Sequence, residues 1–209
     1  MSDKDANWKY VDEVVSESDV LARTRLHSLE LGIDPISPAV GAQIAVVAAA
    51  TRAKSIVEVG TGAGVSGLWL LTGAPEAMLT SIDAEPDAQR HARTAFADAG
   101  IASNRFRLIT GRALDVLPRL NENSYDIVLI DADPLSIIEY VEHGLRLVRP
   151  QGSVLVPHAL WRGRVADPAQ RDATATAFRA LVAEISSSPA VVSALSPAGD
   201  GLLQITKLS

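Results

Sequence analysis

Four acids and one histidine stand where short apolar runs end. Glu58 lies within Ser55-Ile-Val-Glu-Val-Gly-Thr-Gly-Ala-Gly-Val-Ser66, and Asp83 closes Met78 to Ile82. Asp131 and Asp133 follow Ile127-Val-Leu-Ile130, and His158 follows Ser153 to Val156. A carboxylate in such a place can accept hydroxyl protons, balance a cation or take up a proton. A neutral imidazole suits a general base or a metal ligand. Asp83 can accept two ribose hydroxyls, or cap the helix that starts at Pro86. Asp133 reads as the cap of a helix starting near Leu135. His27, His91 and His143 fall on predicted helices and read as solvated. Trp161 either walls an acceptor pocket or plugs its own loop.

Gly60, Gly62 and Gly64 follow the first of these runs at alternate positions. Strand, glycine turn and helix N-terminus together make a ligand cradle with exposed amides. Gly62-x-Gly64-x-x-Gly67 fits a dinucleotide fingerprint, with Asp83 about 20 residues on as the ribose acid. That fingerprint starts at the strand end, whereas the first turn glycine here is Gly60. Glu58-x-Gly60-x-Gly62-x-Gly64 instead resembles the first motif of the S-adenosylmethionine-dependent methyltransferases, and this is the preferred reading. A glycine turn needed only for packing is the third. On the methyltransferase reading, Gly60, Thr61 and Gly62 form the cradle, and Glu58 holds the cofactor's amino group through water or neighbouring amides. Ser66 and helix N-terminal amides take its carboxylate. Gly111-Arg112-Ala113 is a small corner where adenine lies flat and a backbone amide reads its edge. Asp131, at the floor, faces the sulfonium, orients a metal or accepts a proton.

The elements that must position these groups alternate. Strands are expected at Ile56 to Val59, Met78 to Ile82, Phe106 to Thr110, Tyr125 to Ile130 and Ser153 to Val156. Helices are expected at Val65 to Leu71, Pro86 to Ala99, Ala113 to Leu120, Leu135 to Leu147 and Gln170 to Ser186. Alternation of this kind gives a parallel sheet covered on both faces, with ligands beyond the carboxyl ends of its strands. Val191 to Leu195 and Leu202 to Lys207 flank Pro-Ala-Gly-Asp-Gly and read as a closing antiparallel hairpin. Upstream, Met1 to Lys9 reads as a frayed tail. Tyr10 to Leu31 has helical spacing, with Val11, Val14, Val15, Leu21, Leu26 and Leu29 on a broad face. A break at Ser16 to Asp19 divides it, with Ser18 as N-cap. Pro38 to Ala50 reads as a helix buried on most sides.

The chain's 209 residues suit one domain, with 1–37 as a helical extension of a 38–209 core. With 47% hydrophobic residues it can bury a sizeable core. A net charge of −6, 4% aromatics and no basic run disfavour nucleic acid as a partner. No cysteine is present, so disulfides and thiolate metal sites are excluded. No apolar stretch reaches a membrane span and no signal-peptide core is seen, so a cytoplasmic protein is expected.

Taken together the motifs resemble the small catechol-type and caffeoyl-CoA-type O-methyltransferases. The resemblance runs from about Ile36 onward through Glu58 to Ser66, Ile82-Asp83, Gly111-x-Ala113, Asp126-Ile-Val-Leu-Ile-Asp131-Ala-Asp133 and Leu160-Trp161-x-Gly163-x-Val165. Asp-Ala-Asp-Pro is similar to actinobacterial relatives. The resemblance implies an α/β, Rossmann-like class I fold with a mostly parallel seven-stranded sheet and a C-terminal antiparallel hairpin. It implies cofactor contacts at Glu58, Gly60, Ser66, Asp83, Ala113 and Asp131, a homodimer built on the N-terminal helices, and methyl transfer to a hydroxyl of a small phenolic or catecholic acceptor. Two positions depart from the family. Pro134 stands where lysine usually lowers the acceptor's pKa. Pro157 and His158 stand where Asp-Asn usually completes a divalent-metal site with the first aspartate. The expectation is therefore a reaction without metal, with His158 and Asp131 as the catalytic pair. The alternatives are a cofactor-binding protein with little turnover and a nicotinamide-dependent oxidoreductase.

Overall fold

The computed structural model describes residues 3–209, with side chains from residue 6 onward. Seven strands join in one sheet: β1 (Ser55–Val59), β2 (Met78–Asp83), β3 (Phe106–Thr110), β4 (Tyr125–Ile130), β5 (Val148–Pro157), β6 (Val191–Ser196) and β7 (Leu202–Lys207). Their order is β3-β2-β1-β4-β5-β7-β6. The first five run parallel, while β7 pairs antiparallel with both β5 and β6. The strand that comes last in sequence is thus interior, and β6 forms the edge. Successive strand residues point to opposite faces. Ile56, Ile127 and Leu155 accordingly join one core cluster, and Val57, Val128 and Val154 the other.

Helices α2 (Asp19–Glu30), α3 (Pro38–Ala50), α4 (Val65–Gly73) and α5 (Pro86–Asp98) bring residues to the first cluster. Helices α6 (Ala113–Val116), α7 (Ile137–Leu147) and α8 (Ala173–Ser187) bring residues to the second. The join between α3 and α4 is tight: a Cβ at Gly73 would lie 2.0 Å from the Ala45 carbonyl oxygen. No helix among the described residues is long and apolar enough to cross a membrane.

The expected strands and hairpin form, and several boundaries move. The supposed tail is helical from Asp3 to Val14 (α1), and only Met1 and Ser2 lie outside the described residues. This turn carries an exposed Lys9–Glu13 pair in place of an apolar face. The break before α2 forms as expected, with the Ser18 hydroxyl accepting from the Leu21 amide at 3.3 Å. The broad apolar face of the two helices does not go inward. Leu21 is buried, whereas Val14 is 61%, Leu26 61% and Leu29 55% exposed. Helix α6 is a single turn continuing as a 3-10 turn at Leu117–Arg119, because Pro118 supplies no amide for a longer helix. Pro150-Gln151-Gly152 is not a turn ahead of a strand but part of β5, absorbed by a register shift against β4. Helix α8 starts at Ala173, where Asp172 accepts from the Ala175 amide at 3.0 Å.

Candidate active site

The carboxyl ends of β1, β2 and β4 are locked together by main-chain bonds. The Gly60 amide donates to Ile82 (2.9 Å), and the Asp131 amide donates to Val59 (2.8 Å). Gly60 has φ +91°, and a Cβ there would lie 1.7 Å from the Asp131 carbonyl oxygen. The first glycine is therefore required by the neighbouring strand as well as by the turn. In front of these ends lies a cleft of about 630 Å³ whose lining includes Gly60, Gly62, Asp83, Arg112, Ala113 and Asp131. Six of the nine residues assigned to the cofactor from the sequence thus share one cavity.

Asp83 binds its own loop. Its Oδ2 accepts the amides of Thr61 (2.9 Å) and Gly62 (3.0 Å), and Oδ1 accepts that of Glu85 (2.9 Å). A carboxylate offers about four lone-pair sites. One is left on Oδ1, so the expected two-hydroxyl grip by Asp83 alone does not fit. Glu85 lines the same cleft and supplies a second acid. The helix-cap reading of Asp83 does not fit either, since the Glu85 position precedes α5.

Glu58, Thr61, Ser66 and His158 are not among the residues lining this cleft. Glu58 is wholly buried, with the Ser66 hydroxyl donating to Oε1 (2.6 Å) and the Ser81 hydroxyl to Oε2 (2.5 Å). Burial dominates these bonds and lifts its pKa from 4.5 to about 7. The Thr61 hydroxyl also faces inward, 2.6 Å from Ser81 Oγ, and accepts from Gln89 Nε2 at 2.9 Å. Ser81 and Gln89 were not singled out from the sequence. Ser81 shares a strand face with Asp83, and that two-residue spacing was the available signal. Ser66 borders a smaller cavity of about 90 Å³, shared with Asp34 and Asp131, so its hydroxyl stands between Glu58 and that space.

Asp131 and His158 are brought together. His158 Nε2 lies 3.9 Å from Asp131 Oδ1, and its Nδ1 lies 3.6 Å from Asp200 Oδ2. Burial raises the pKa of Asp131, His158 opposes the rise, and Asp34 adds to it. Asp34 is in turn paired with Arg162 Nη2 at 3.0 Å. Asp133 caps as expected, accepting from the Leu135 amide (3.2 Å) and the Ser136 hydroxyl (2.8 Å). Arg112, exposed, stands ahead of α6 without a side-chain cap, and Ala113 is buried behind it. Trp161 stacks on Phe178 with centroids 6.0 Å apart and planes at 27°. It is the plug of its loop, not a wall of the cleft. His27 Nε2 meets His91 Nδ1 at 2.9 Å across α2 and α5, so these two histidines are paired rather than simply solvated.

A nucleoside with a charged amino-acid end fits this arrangement: a cleft of suitable volume, two acids at its β2 end and Asp131 at its β4 end. The donor set does not fit a hard divalent cation. Mg²⁺ favours oxygen ligands. Asp131 has beside it a proline at 157, which offers no side-chain donor, and an imidazole nitrogen at 158. Gly67, the last glycine of the dinucleotide reading, is inside α4, where a Cβ would lie 2.7 Å from Phe96 Cζ. It serves packing and does not face the cleft.

The O-methyltransferase family model matches residues 13–208. A candidate O-methyltransferase of Mycobacterium sp. (strain JLS) is 46% identical over 195 residues, 93% of this chain and 89% of the relative. One from Mycobacteroides abscessus is 44% identical over 204 residues, 97% and 95% of the two chains. Among solved structures, a Corynebacterium glutamicum protein superposes with a TM-score of 0.91 at 29% identity, covering 100% of this chain and 98% of that one. The O-methyltransferase TomG of Streptomyces achromogenes, involved in tomaymycin synthesis and solved with S-adenosylmethionine, superposes with a TM-score of 0.86 at 27% identity over 100% of both chains. With the family matched along nearly its whole length and the strand-end cleft in place, this chain belongs to the O-methyltransferase family and is an S-adenosylmethionine-dependent methyltransferase.

Proposed function

We propose that the protein methylates a hydroxyl of a small phenolic or catecholic acceptor, without a metal, using His158 as the base beside Asp131. The observation that carries this is the approach of His158 Nε2 to within 3.9 Å of Asp131, the acid that lines the cleft, at positions where a metal set does not fit. S-adenosylmethionine, when bound, supplies an electrophilic methyl group on a cationic sulfur. The chain holds it through Asp83 and Glu85 on the ribose hydroxyls, Ala113 and the neighbouring backbone under the base, and Ser66, backed by Glu58, at the amino-acid end. Gly60, Thr61 and Gly62 shape the loop, and Arg112 shields the open side. Asp131 balances positive charge at the floor. His158 Nε2 removes the acceptor's hydroxyl proton, and alignment of the two reacting atoms supplies most of the rate.

The exposed apolar residues of α1 and α2, among them Val14, Leu26 and Leu29, support a homodimer formed across those helices. Nucleic acid is not expected as a partner, given the acidic charge. The test is turnover of a catechol and phenol panel with labelled S-adenosylmethionine, in EDTA and in Mg²⁺. Methylation that survives EDTA and is lost in His158→Gln is the expected result. Strict Mg²⁺ dependence, or full activity in His158→Gln, overturns it. Tight S-adenosylhomocysteine binding with no turnover of any acceptor favours the non-catalytic alternative.

A further inference from the structure

We propose that Asp200, in the turn between β6 and β7, is the positioning residue of His158: it accepts the Nδ1–H and leaves the Nε2 lone pair on the side of Asp131. This rests on the reading of His158 as the base, and it adds a residue that no motif contains.

The geometry converges on Asp200 from three sides. Its main-chain oxygen accepts the Leu160 amide at 2.8 Å, and its Oδ1 accepts the Arg162 amide at 2.5 Å. Its Oδ2 is the oxygen that faces His158 Nδ1, at 3.6 Å. The loop it holds is strained: His158, Trp161 and Arg162 all have positive φ, at 56°, 47° and 54°. Non-glycine residues persist there only when their surroundings force them. Ala159 is tied to the same turn, its amide donating to Gly201 at 3.2 Å. The turn is closely fitted, since a Cβ on Gly201 would lie 2.6 Å from Leu160 Cγ.

A purely structural aspartate needs only the two backbone bonds. The orientation of Oδ2 has a chemical consequence. A neutral imidazole carries one N–H and one lone pair. Both ring nitrogens face a carboxylate, and Asp200 is the nearer, at 3.6 Å from Nδ1 against 3.9 Å from Nε2 to Asp131, so the proton belongs on Nδ1. Nε2, buried and with no hydrogen-bond partner, then presents its lone pair. A proton leaving an acceptor hydroxyl passes to Nε2, and Asp200 balances the imidazolium formed. The pair closes to hydrogen-bond length when a substrate is bound, as apo catalytic contacts commonly do.

The experiment is a long-range ¹H–¹⁵N correlation spectrum of the histidines at pH 8, with His158 assigned by its absence in His158→Gln. The wild-type protein should show the Nδ1–H form. In Asp200→Asn the amide NH₂ donates to Nδ1 and the proton moves to Nε2, while S-adenosylhomocysteine affinity by calorimetry stays within about twofold. With catechol as acceptor, kcat should fall at least about tenfold with little change in KM. An Nε2–H wild-type spectrum, or an unchanged tautomer in Asp200→Asn, overturns the proposal. If Asp200→Asn does not fold, the wild-type spectrum decides alone. A His158→Gln enzyme as fast as wild type removes the base, and this inference with it, whatever the tautomer.

Discussion

Glu58→Gln should stabilise the protein, and the gain should appear only as pH rises. The side chain is 0% exposed, and burial holds its pKa at about 7 against an ordinary 4.5. A carboxyl whose pKa is raised on folding favours the folded state while protonated. The cost of ionising it in place grows from pH 4.5 and is complete above pH 7. At about 1.4 kcal/mol per pH unit, that interval corresponds to about 3 kcal/mol. Glutamine keeps the shape: its oxygen accepts from Ser66, and its amide donates to Ser81, whose hydroxyl turns toward Thr61. The variant should therefore gain about 3 kcal/mol at pH 8 and under about 1 kcal/mol at pH 5. For a chain of this size that is roughly 6–12 °C in Tm at pH 8. Urea unfolding of both proteins at pH 5, 6.5 and 8 measures the difference, in which every other titrating group cancels. An equal gain at pH 5 and pH 8, or a loss at pH 8, would refute the account of Glu58 as a buried acid strained by ionisation.

Gly60→Ala should abolish S-adenosylhomocysteine binding in calorimetry and lower Tm sharply, because the new methyl collides with the Asp131 carbonyl; near-wild-type affinity would refute the strand-end geometry. Asp83→Ala releases the Thr61 and Gly62 amides as well as one ribose contact, and should weaken S-adenosylhomocysteine by more than about tenfold, the loss expected of an aspartate holding two loop amides. Trp161→Ala should cost about 3 kcal/mol in urea unfolding with cofactor affinity retained; a weakened affinity with unchanged stability would make Trp161 a cleft wall after all. Leu26→Asp should convert a dimer to a monomer in light scattering, and an unchanged mass would move the interface elsewhere.

The sheet was legible because its strands are short apolar runs with polar ends, and burial on both faces leaves such runs no other home. The cleft followed from the sheet, since strand ends list their own loops. The hydrogen bonds inside the site were less legible. Glu58 and Asp83 were both assigned to the ligand, yet Glu58 is shared by two serines and Asp83 by three amides, and neither arrangement has a sequence signature. Helix α1 is legible only from Tyr10 onward, because most of Asp3 to Lys9 is polar, and the apolar spacing of Leu26 and Leu29 marks a surface rather than a core face. Asp200 was passed over because a Pro-Ala-Gly-Asp-Gly stretch reads as a turn, and nothing local says which loop that turn will touch.

The placement of β7 between β5 and β6 bears on how the molecule is made. A ribosome delivers β5 and β6 before β7 exists, and the two cannot pair directly in this topology. The apolar flank of β5 stays open until Leu202, Leu203 and Ile205 emerge to fill it. Strands β1 to β5 can assemble on the nascent chain, but the turn that carries Asp200 and the closing strand arrive together. A chain stalled before residue 202 thus offers chaperones an unpaired β5 edge.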